Sequence, residues 1–419
     1  MIRLRGNAIV GQSGGPTAVI NQSLVGLIEA AHQLPEIETL LGARYGVNGI
    51  LAERFIDLFQ ESKETLEAVA QTSSAALGSV RKKPTTDECA QMFEVMRKHN
   101  VRYFFYIGGN DSAETALLVN QMAVETRYEL RCFHVPKTVD NDIRETDHCP
   151  GYGSAAKFIA NAFIGDNLDN RALPGIKLNI IMGRHAGFLT AASALAKERA
   201  DDGPHLIYLP ERPITREQIR DEVAEVYQRL GRCIVAVSEG LIDAGSATQQ
   251  TFTEVILEEA TEIERDTHGN IQLSGSGALG DWLANYLRTE LGSKLRVRAD
   301  TFGYLQRSFP GTISDVDARE ARICGRMAFE FVTQGDIDGS VVMRRHAHNG
   351  VYGIEYQYTD LANVARDTKK LPEHYIAATG NYVTPDFLDY VRPLVGTLPT
   401  VGVFDGISES SKGEMGATQ

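Results

Sequence analysis

Two carboxylates and a lysine stand close together in Pro136-Lys137-Thr138-Val139-Asp140-Asn141-Asp142. When a phosphoryl group moves onto a hydroxyl, a base must take the hydroxyl proton and a cation must offset the charge that develops. Asp140 suits the first task and Lys137 the second. Asp142 could ligate a metal ion or orient its neighbour. The competing reading is a solvated turn, because Asx-rich runs readily form one. The Pro-Lys-Thr lead-in and the position after an apolar run favour the chemical reading.

Two glycine clusters could receive a phosphate. Gly11-Gln12-Ser13-Gly14-Gly15-Pro16-Thr17 lets the backbone approach an anion with its amides exposed at a helix start. It lacks the Lys-Ser/Thr of a P-loop, and a plain strand-to-helix turn is the alternative. Gly108-Gly109-Asn110-Asp111-Ser112 offers paired glycines, with Gly109 as the donor-side contact, but Asp111 would repel a phosphate. Its carboxylate beside the Asn110 amide suits Mg²⁺, which takes hard oxygen ligands and retains waters. Alternatively, one of Asn110, Asp111 or Ser112 caps the next helix, with Glu114 in its first turn.

Arginines supply the opposite charge. In Met182-Gly183-Arg184-His185-Ala186-Gly187 an arginine flanked by glycine can present its planar fork to a phosphate. His185 reads as packing or as a support just behind the site, since Asp140 already fills the base role. Glu239 in Ser238-Glu239-Gly240 is an acceptor for sugar hydroxyls. Arg296 and Arg298 alternate on one face of a strand, and Tyr304 and Arg307 lie a helical turn apart. With Arg184 they make a local basic cluster, and a solvated surface charge is the alternative for each.

These groups must be held by something. Short apolar runs at residues 8–10, 101–107, 133–135, 178–182 and 234–237 alternate with helix-period segments, among them 18–31, 113–124 and 216–230. That pattern predicts an α/β fold with strand–helix–strand units around a parallel sheet. Each polar or glycine-rich cluster follows a strand, and in open α/β sheets ligands bind outside the strands' carboxyl ends. The five clusters therefore point to one crevice. A second lobe is expected after about residue 173, including the helix at 216–230 and the stretch 275–307.

The chain of 419 residues is long enough for two or three domains. Its net charge of −13 argues against nucleic acid or an anionic membrane as partner, and requires a local basic cluster if phosphates bind. The five cysteines lack C-x-x-C spacing, which points to a reducing compartment rather than to disulfides or zinc. No apolar signal core opens the chain and no run spans a membrane, so a cytoplasmic protein is expected.

Taken together, GQSGGPTAVIN, GGNDS, PKTVDND, MGRHAG, SEG and GYLQR resemble the phosphofructokinase family in order and spacing, over roughly residues 7–320. The resemblance implies two Rossmann-like lobes with mainly parallel sheets and helices on both faces. Residues 1–173 would bind the phosphoryl donor, completed by later C-terminal segments, and 174–320 the sugar phosphate. Residues 321–408 would pack back on both lobes, and 409–419 would be a mobile tail. It implies that Gly15 meets the donor phosphates, Arg81 the transferred group, and Asp140 the sugar's 1-hydroxyl. Thr138, Asp142, Met182, Gly183, Arg184, Glu239, Tyr304 and Arg307 would line the sugar phosphate. Arg298 would reach the 6-phosphate across a subunit interface in a homodimer or homotetramer. Lys177 is the nearest counterpart of a second such cation.

Two positions bear on the donor. ATP-dependent members of the family generally carry glycine where Asp111 and Lys137 stand, and the resemblance here is to the pyrophosphate-dependent branch. Asp111 would put negative charge where the α-phosphate of ATP should lie, a repulsion of about 4 kcal/mol at intermediate dielectric. The resemblance thus implies reversible, Mg²⁺-dependent transfer from pyrophosphate to fructose 6-phosphate, usable in glycolysis and in the reverse direction. An ATP-dependent kinase and a non-catalytic sugar-phosphate-binding subunit are the alternatives. One departure stands out: Asn110 replaces an acidic residue of the family, so the metal would be held by Asn110 and Asp142 with less charge.

Overall fold

The computed structural model describes residues 4–259, 277–334, 337–348, 351–365 and 367–404. In chain order its strands are β1 (Gly6–Gln12), β2 (Ile37–Ala43), β3 (Phe55–Asp57), β4 (Val101–Gly108), β5 (Arg131–Pro136), β6 (Ile176–Ile181), β7 (Leu206–Tyr208), β8 (Cys233–Ser238), β9 (Val297–Thr301), β10 (Gly339–His348) and β11 (Val351–Thr359). They form two sheets, one ordered β11-β10-β5-β4-β1-β2-β3 and one ordered β7-β8-β6-β9. The α/β class expected from the alternation of elements is the class observed.

β4 shows why the first sheet forms. Past Arg102 its residues are apolar on both faces, as a strand covered on both sides must be. Tyr103, Phe105 and Ile107 pack with Leu24, Leu27 and Ile28 of helix Ile20–Ala31 and with Ala328 and Phe329 of helix Asp315–Gln334. Phe104 and Tyr106 point the other way, onto Met92, Phe93 and Met96 of helix Thr86–Lys98. Each fully buried phenylalanine contributes roughly 1.5–3 kcal/mol of hydrophobic stabilisation. Helices Ile20–Ala31 and Asp315–Gln334 touch backbone to backbone: a Cβ at Gly26 would lie 1.9 Å from the Arg322 carbonyl oxygen. That contact ties the helix after the first glycine turn to the C-terminal part of the chain.

β1, β4 and β5 run parallel, as do β6, β7, β8 and β9. Their carboxyl ends therefore sit along one edge of each sheet, and the turns that follow face a common cleft. Among the named strands, antiparallel pairing is confined to β2–β3 and β10–β11. β10 joins β5 in parallel, so the C-terminal hairpin extends the first sheet. The boundary expected at residue 320 falls inside helix Asp315–Gln334, while Leu173 is the C-cap of helix Tyr152–Ala172. The tail expected at 409–419 lies outside the described residues, as does Gly275. Among the described residues, no helix is long and apolar enough to cross a membrane.

Candidate active site

The turns after β1, β4, β5, β6 and β8 enclose a cavity of about 440 Å³. Gly14 and Gly15 come from the first, Gly109, Asn110 and Asp111 from the second, and Lys137, Thr138, Asp140 and Asp142 from the third. The second sheet contributes Met182, Arg184 and Glu239, and Tyr304 and Arg307 close the wall.

Local sequence sets each position. Gly15 admits two guanidinium groups: a Cβ there would meet Arg307 Nη1 at 2.8 Å and Arg81 Nη2 at 3.6 Å. The turn is pinned by Ser79, whose hydroxyl donates to the Gly14 carbonyl, and by the Gly14 amide, which donates to Val80 at 3.0 Å. Lys137 is only 2% exposed, and its Nζ donates to the Gly15 carbonyl at 2.6 Å. Thr138 Oγ1 accepts from the Asp140 amide at 3.1 Å, an ST turn that fixes the backbone leading into the first carboxylate. Arg307 stacks on Tyr304 with 4.4 Å between its Cζ and the ring centre.

Helix Asn110–Glu125 starts at Asn110 with Gly109 at its N-cap and without a side-chain cap. The capping alternative for Asn110, Asp111 and Ser112 is thus not realised. Asn110 instead donates from Nδ2 to Asp142 Oδ2 at 2.9 Å, and Asp111 is exposed on the cavity wall. Asn110 Oδ1 and Asp142 Oδ1 are buried oxygens with no hydrogen-bond partner. Two unsatisfied hard oxygens side by side suit Mg²⁺, which would complete its shell with water and substrate. Among the described residues, no group of three or more His, Cys, Asp or Glu could hold a metal ion by itself.

The site is electrostatically tense without an anion. Burial, then the charges of Arg307 and Arg81, brings Lys137 down to about 7. Burial likewise lowers Arg307, with Arg81 the next cause. Burial raises Asp140 against the pull of Arg184 and Lys137, and raises Asp142, to which the charge of Asp140 adds. A polyanion bound between Lys137, Arg81 and Arg307 would relieve the cation crowding, and the two carboxylates resist ionising together. The arrangement can bind phosphates and draw a proton from a hydroxyl placed at Asp140.

Residues 7–332 match the model of the family described as phosphofructokinase. The chain belongs to the phosphofructokinase family. A relative from Rhodospirillum rubrum, named pyrophosphate–fructose 6-phosphate 1-phosphotransferase, is 52% identical over 392 residues, covering 94% of this chain and 95% of its own. A relative of the same name from Xanthomonas campestris is 36% identical, with 96% of this chain and 94% of its own covered. A crystal structure of a pyrophosphate-dependent phosphofructokinase from Marinobacter aquaeolei superposes with a TM-score of 0.80 at 34% identity, over 96% of this chain and 94% of that one.

Within this phosphofructokinase, most residues singled out from the sequence meet at the cavity, and four do not. Gly183 lies behind the wall, its amide 3.4 Å from Glu239 Oε1 and its carbonyl accepting from Ser238 Oγ at 2.8 Å. Arg298 is exposed on edge strand β9, away from the cavity. Arg296 precedes that strand and binds the end of helix Tyr152–Ala172, through the Leu173 carbonyl and Asp169 at 3.9 Å. Strand alternation therefore does not make it a partner of Arg298, and the local basic cluster is Arg81, Lys137, Arg184 and Arg307. Lys177 is engaged by Asp300 and by Asp166 at 3.8 Å, both in its own chain. His185, read as packing or as a support just behind the site, borders the cavity.

Sequence reasoning missed several residues. Gln306 is buried and accepts from the Met182 amide at 3.1 Å, fixing the turn that carries Arg184. Lys82, Ala365 and Thr368 line the cavity, as does Glu114, read from the sequence only as a first-turn residue of its helix. The Lys369 amide donates to the Asp142 carbonyl at 2.6 Å. Gln306 sits inside the GYLQR motif, which could have flagged it. No local signal marks residues 365–369.

Proposed function

We propose that this phosphofructokinase transfers a phosphoryl group reversibly from pyrophosphate to the 1-hydroxyl of fructose 6-phosphate. The observation that carries this reading is the buried Lys137 ammonium against Gly15, between Arg81 and Arg307, with Asp111 on the same wall. Pyrophosphate would lie across Gly15 and Gly109 with its bridging oxygen near Lys137. Fructose 6-phosphate would lie across Thr138, Met182, Arg184, Glu239, Tyr304 and Arg307, with the 1-hydroxyl at Asp140 and Gly183 shaping the turn behind them.

Asp140 takes the hydroxyl proton as the sugar oxygen attacks the terminal phosphorus. The bond from that phosphorus to the bridging oxygen breaks, and inorganic phosphate leaves with the electron pair, its charge offset by Lys137. The proton on Asp140 then passes to phosphate or solvent, giving fructose 1,6-bisphosphate. A bound Mg²⁺ would neutralise pyrophosphate oxygens, and Asn110 and Asp142 would hold it. Because one phosphoanhydride is exchanged for one phosphate ester, the reverse reaction stays accessible.

Arg298 is on an exposed edge, which fits a residue that completes the sugar site of a second copy in a homodimer or homotetramer. The five cysteines are free and buried, which suits a reducing cytoplasm. The deciding assay offers purified protein fructose 6-phosphate and Mg²⁺ with pyrophosphate or with ATP. Strong turnover with pyrophosphate and little with ATP is expected; equal turnover with both refutes the donor assignment.

A further inference from the structure

The carboxylates Asp140 and Asp142 flank a residue that the chemistry does not use. Asn141 is fully buried and has φ 59°, a left-handed conformation that asparagine tolerates better than most residues. This single reversal sets how the segment carries the carboxylates on either side of it to the cavity. Such a conformation persists only when the surroundings hold it.

Both ends of the Asn141 amide are held. Its Oδ1 accepts from the Cys149 amide at 2.9 Å, within the same segment. Its Nδ2 donates at 2.8 Å to the hydroxyl of Tyr390, which lies on helix Pro385–Val395. That hydroxyl in turn donates a hydrogen bond to the Asp147 carbonyl at 3.0 Å. Tyr390 is itself clamped. Arg345 donates from Nη1 to the Tyr390 carbonyl at 2.7 Å, lies 4.4 Å from the ring centre, and reaches Asp147 Oδ1 from Nε at 3.1 Å. Asp147 Oδ1 also meets His148 Nδ1 at 2.9 Å, and His148 Nε2 meets Glu320 Oε2 at 2.7 Å. The network thus runs from β10 and helix Asp315–Gln334 to the turn between the carboxylates.

We infer that Tyr390 is a positioning residue for the reaction: its hydroxyl, through Asn141, holds Asp140 and Asp142 in the geometry that phosphoryl transfer needs. The inference rests on the role proposed for Asp140. Displacement of a reacting group by about 1 Å can cost up to about 100-fold in rate, so losing one strut should be visible in turnover rather than in binding. Most of the substrate-binding side chains, among them Arg81, Arg184, Glu239, Tyr304 and Arg307, lie on other segments and should be unaffected.

The test is Tyr390→Phe, which deletes one oxygen and keeps the ring. A kcat lowered about tenfold is expected, with KM for pyrophosphate and for fructose 6-phosphate within twofold of wild type. Hydrogen exchange over residues 138–143 should accelerate, and exchange in β1 and β4 should not. Val395→Ala, which removes buried packing from the same helix without touching these hydrogen bonds, separates this from simple loosening. The inference is overturned if Tyr390→Phe leaves loop exchange unchanged, if kcat stays within twofold, or if Val395→Ala lowers kcat as much. Full activity of Asp140→Asn would strike instead at the role of Asp140, and the exchange comparison would still judge the strut.

Discussion

Lys137 Nζ donates a 2.6 Å hydrogen bond to the carbonyl oxygen of Gly15, joining the turn after β5 to the turn after β1. The ammonium is buried, and two guanidinium groups crowd it, so the floor of the cleft is charged before any substrate arrives. A bound diphosphate would accept that charge, whereas a longer nucleotide chain must also pass Asp111.

Replacing Asp111 with Gly should lower kcat/KM with pyrophosphate and raise the ratio of ATP to pyrophosphate use, even if ATP turnover stays small. Adding Lys137→Gly should extend the shift, because both residues act on one phosphate site and neighbours couple. Helix Asn110–Glu125 has no side-chain cap to lose, so Tm should move little. An unchanged donor ratio in both variants would refute this account of specificity.

Asp140→Asn keeps the shape of the side chain and removes its basicity. Turnover should fall by roughly 10²–10⁴-fold, the usual contribution of a positioned base. Binding of fructose 6-phosphate, followed calorimetrically, should survive. Activity within a few-fold of wild type would take Asp140 out of its role.

The pH dependence follows from burial. Lys137 must be charged to assist the leaving phosphate, and in the free protein it titrates at about 7. So kcat/KM for pyrophosphate should decline as pH rises above about 7. Asp140 must be ionised, and burial raises its pKa, so the same parameter should decline on the acid side, giving a bell. Binding of pyrophosphate recharges Lys137 and should take up a proton near pH 8, seen as a buffer-dependent heat. Lys137→Met should lack that uptake; if it persists, another group is responsible. For stability the sign is opposite to that of activity. Between about pH 7 and the ordinary lysine value of 10.5, the unfolded chain holds the extra proton, so this group favours folding as pH rises.

Asn110 places a neutral oxygen where a carboxylate would bind a cation more tightly. Asn110→Asp should lower the Mg²⁺ concentration for half-maximal activity, and chelation should abolish turnover in both proteins. Loss of activity at every Mg²⁺ concentration would instead point to the hydrogen bond from Asn110 to Asp142 as the essential contact.

Light scattering should show a homo-oligomer, and Arg298→Ala should raise KM for fructose 6-phosphate several-fold while sparing KM for pyrophosphate. A fully active monomer would contradict the shared site.

The sequence alone determined the fold class and the placing of the candidate site residues after strands along the chain. Those features are local: apolar strands, glycine turns and helix periods depend on neighbours a few residues away, and they place Gly15, Asp111, Asp140 and Arg184 after strands. Motif order extended this to a two-lobed architecture. Only the tertiary structure decided which groups meet. Lys137 touches Gly15, 122 residues earlier in the chain, and Asn141 is held by Tyr390, 249 residues later. It also separated Arg298, exposed on an edge strand, from Arg296, which ties down a helix end, although the two read alike in sequence. The shifted titrations of Lys137 and Asp142 belong to the same level, because desolvation and charge at a point sum over every segment packed around it.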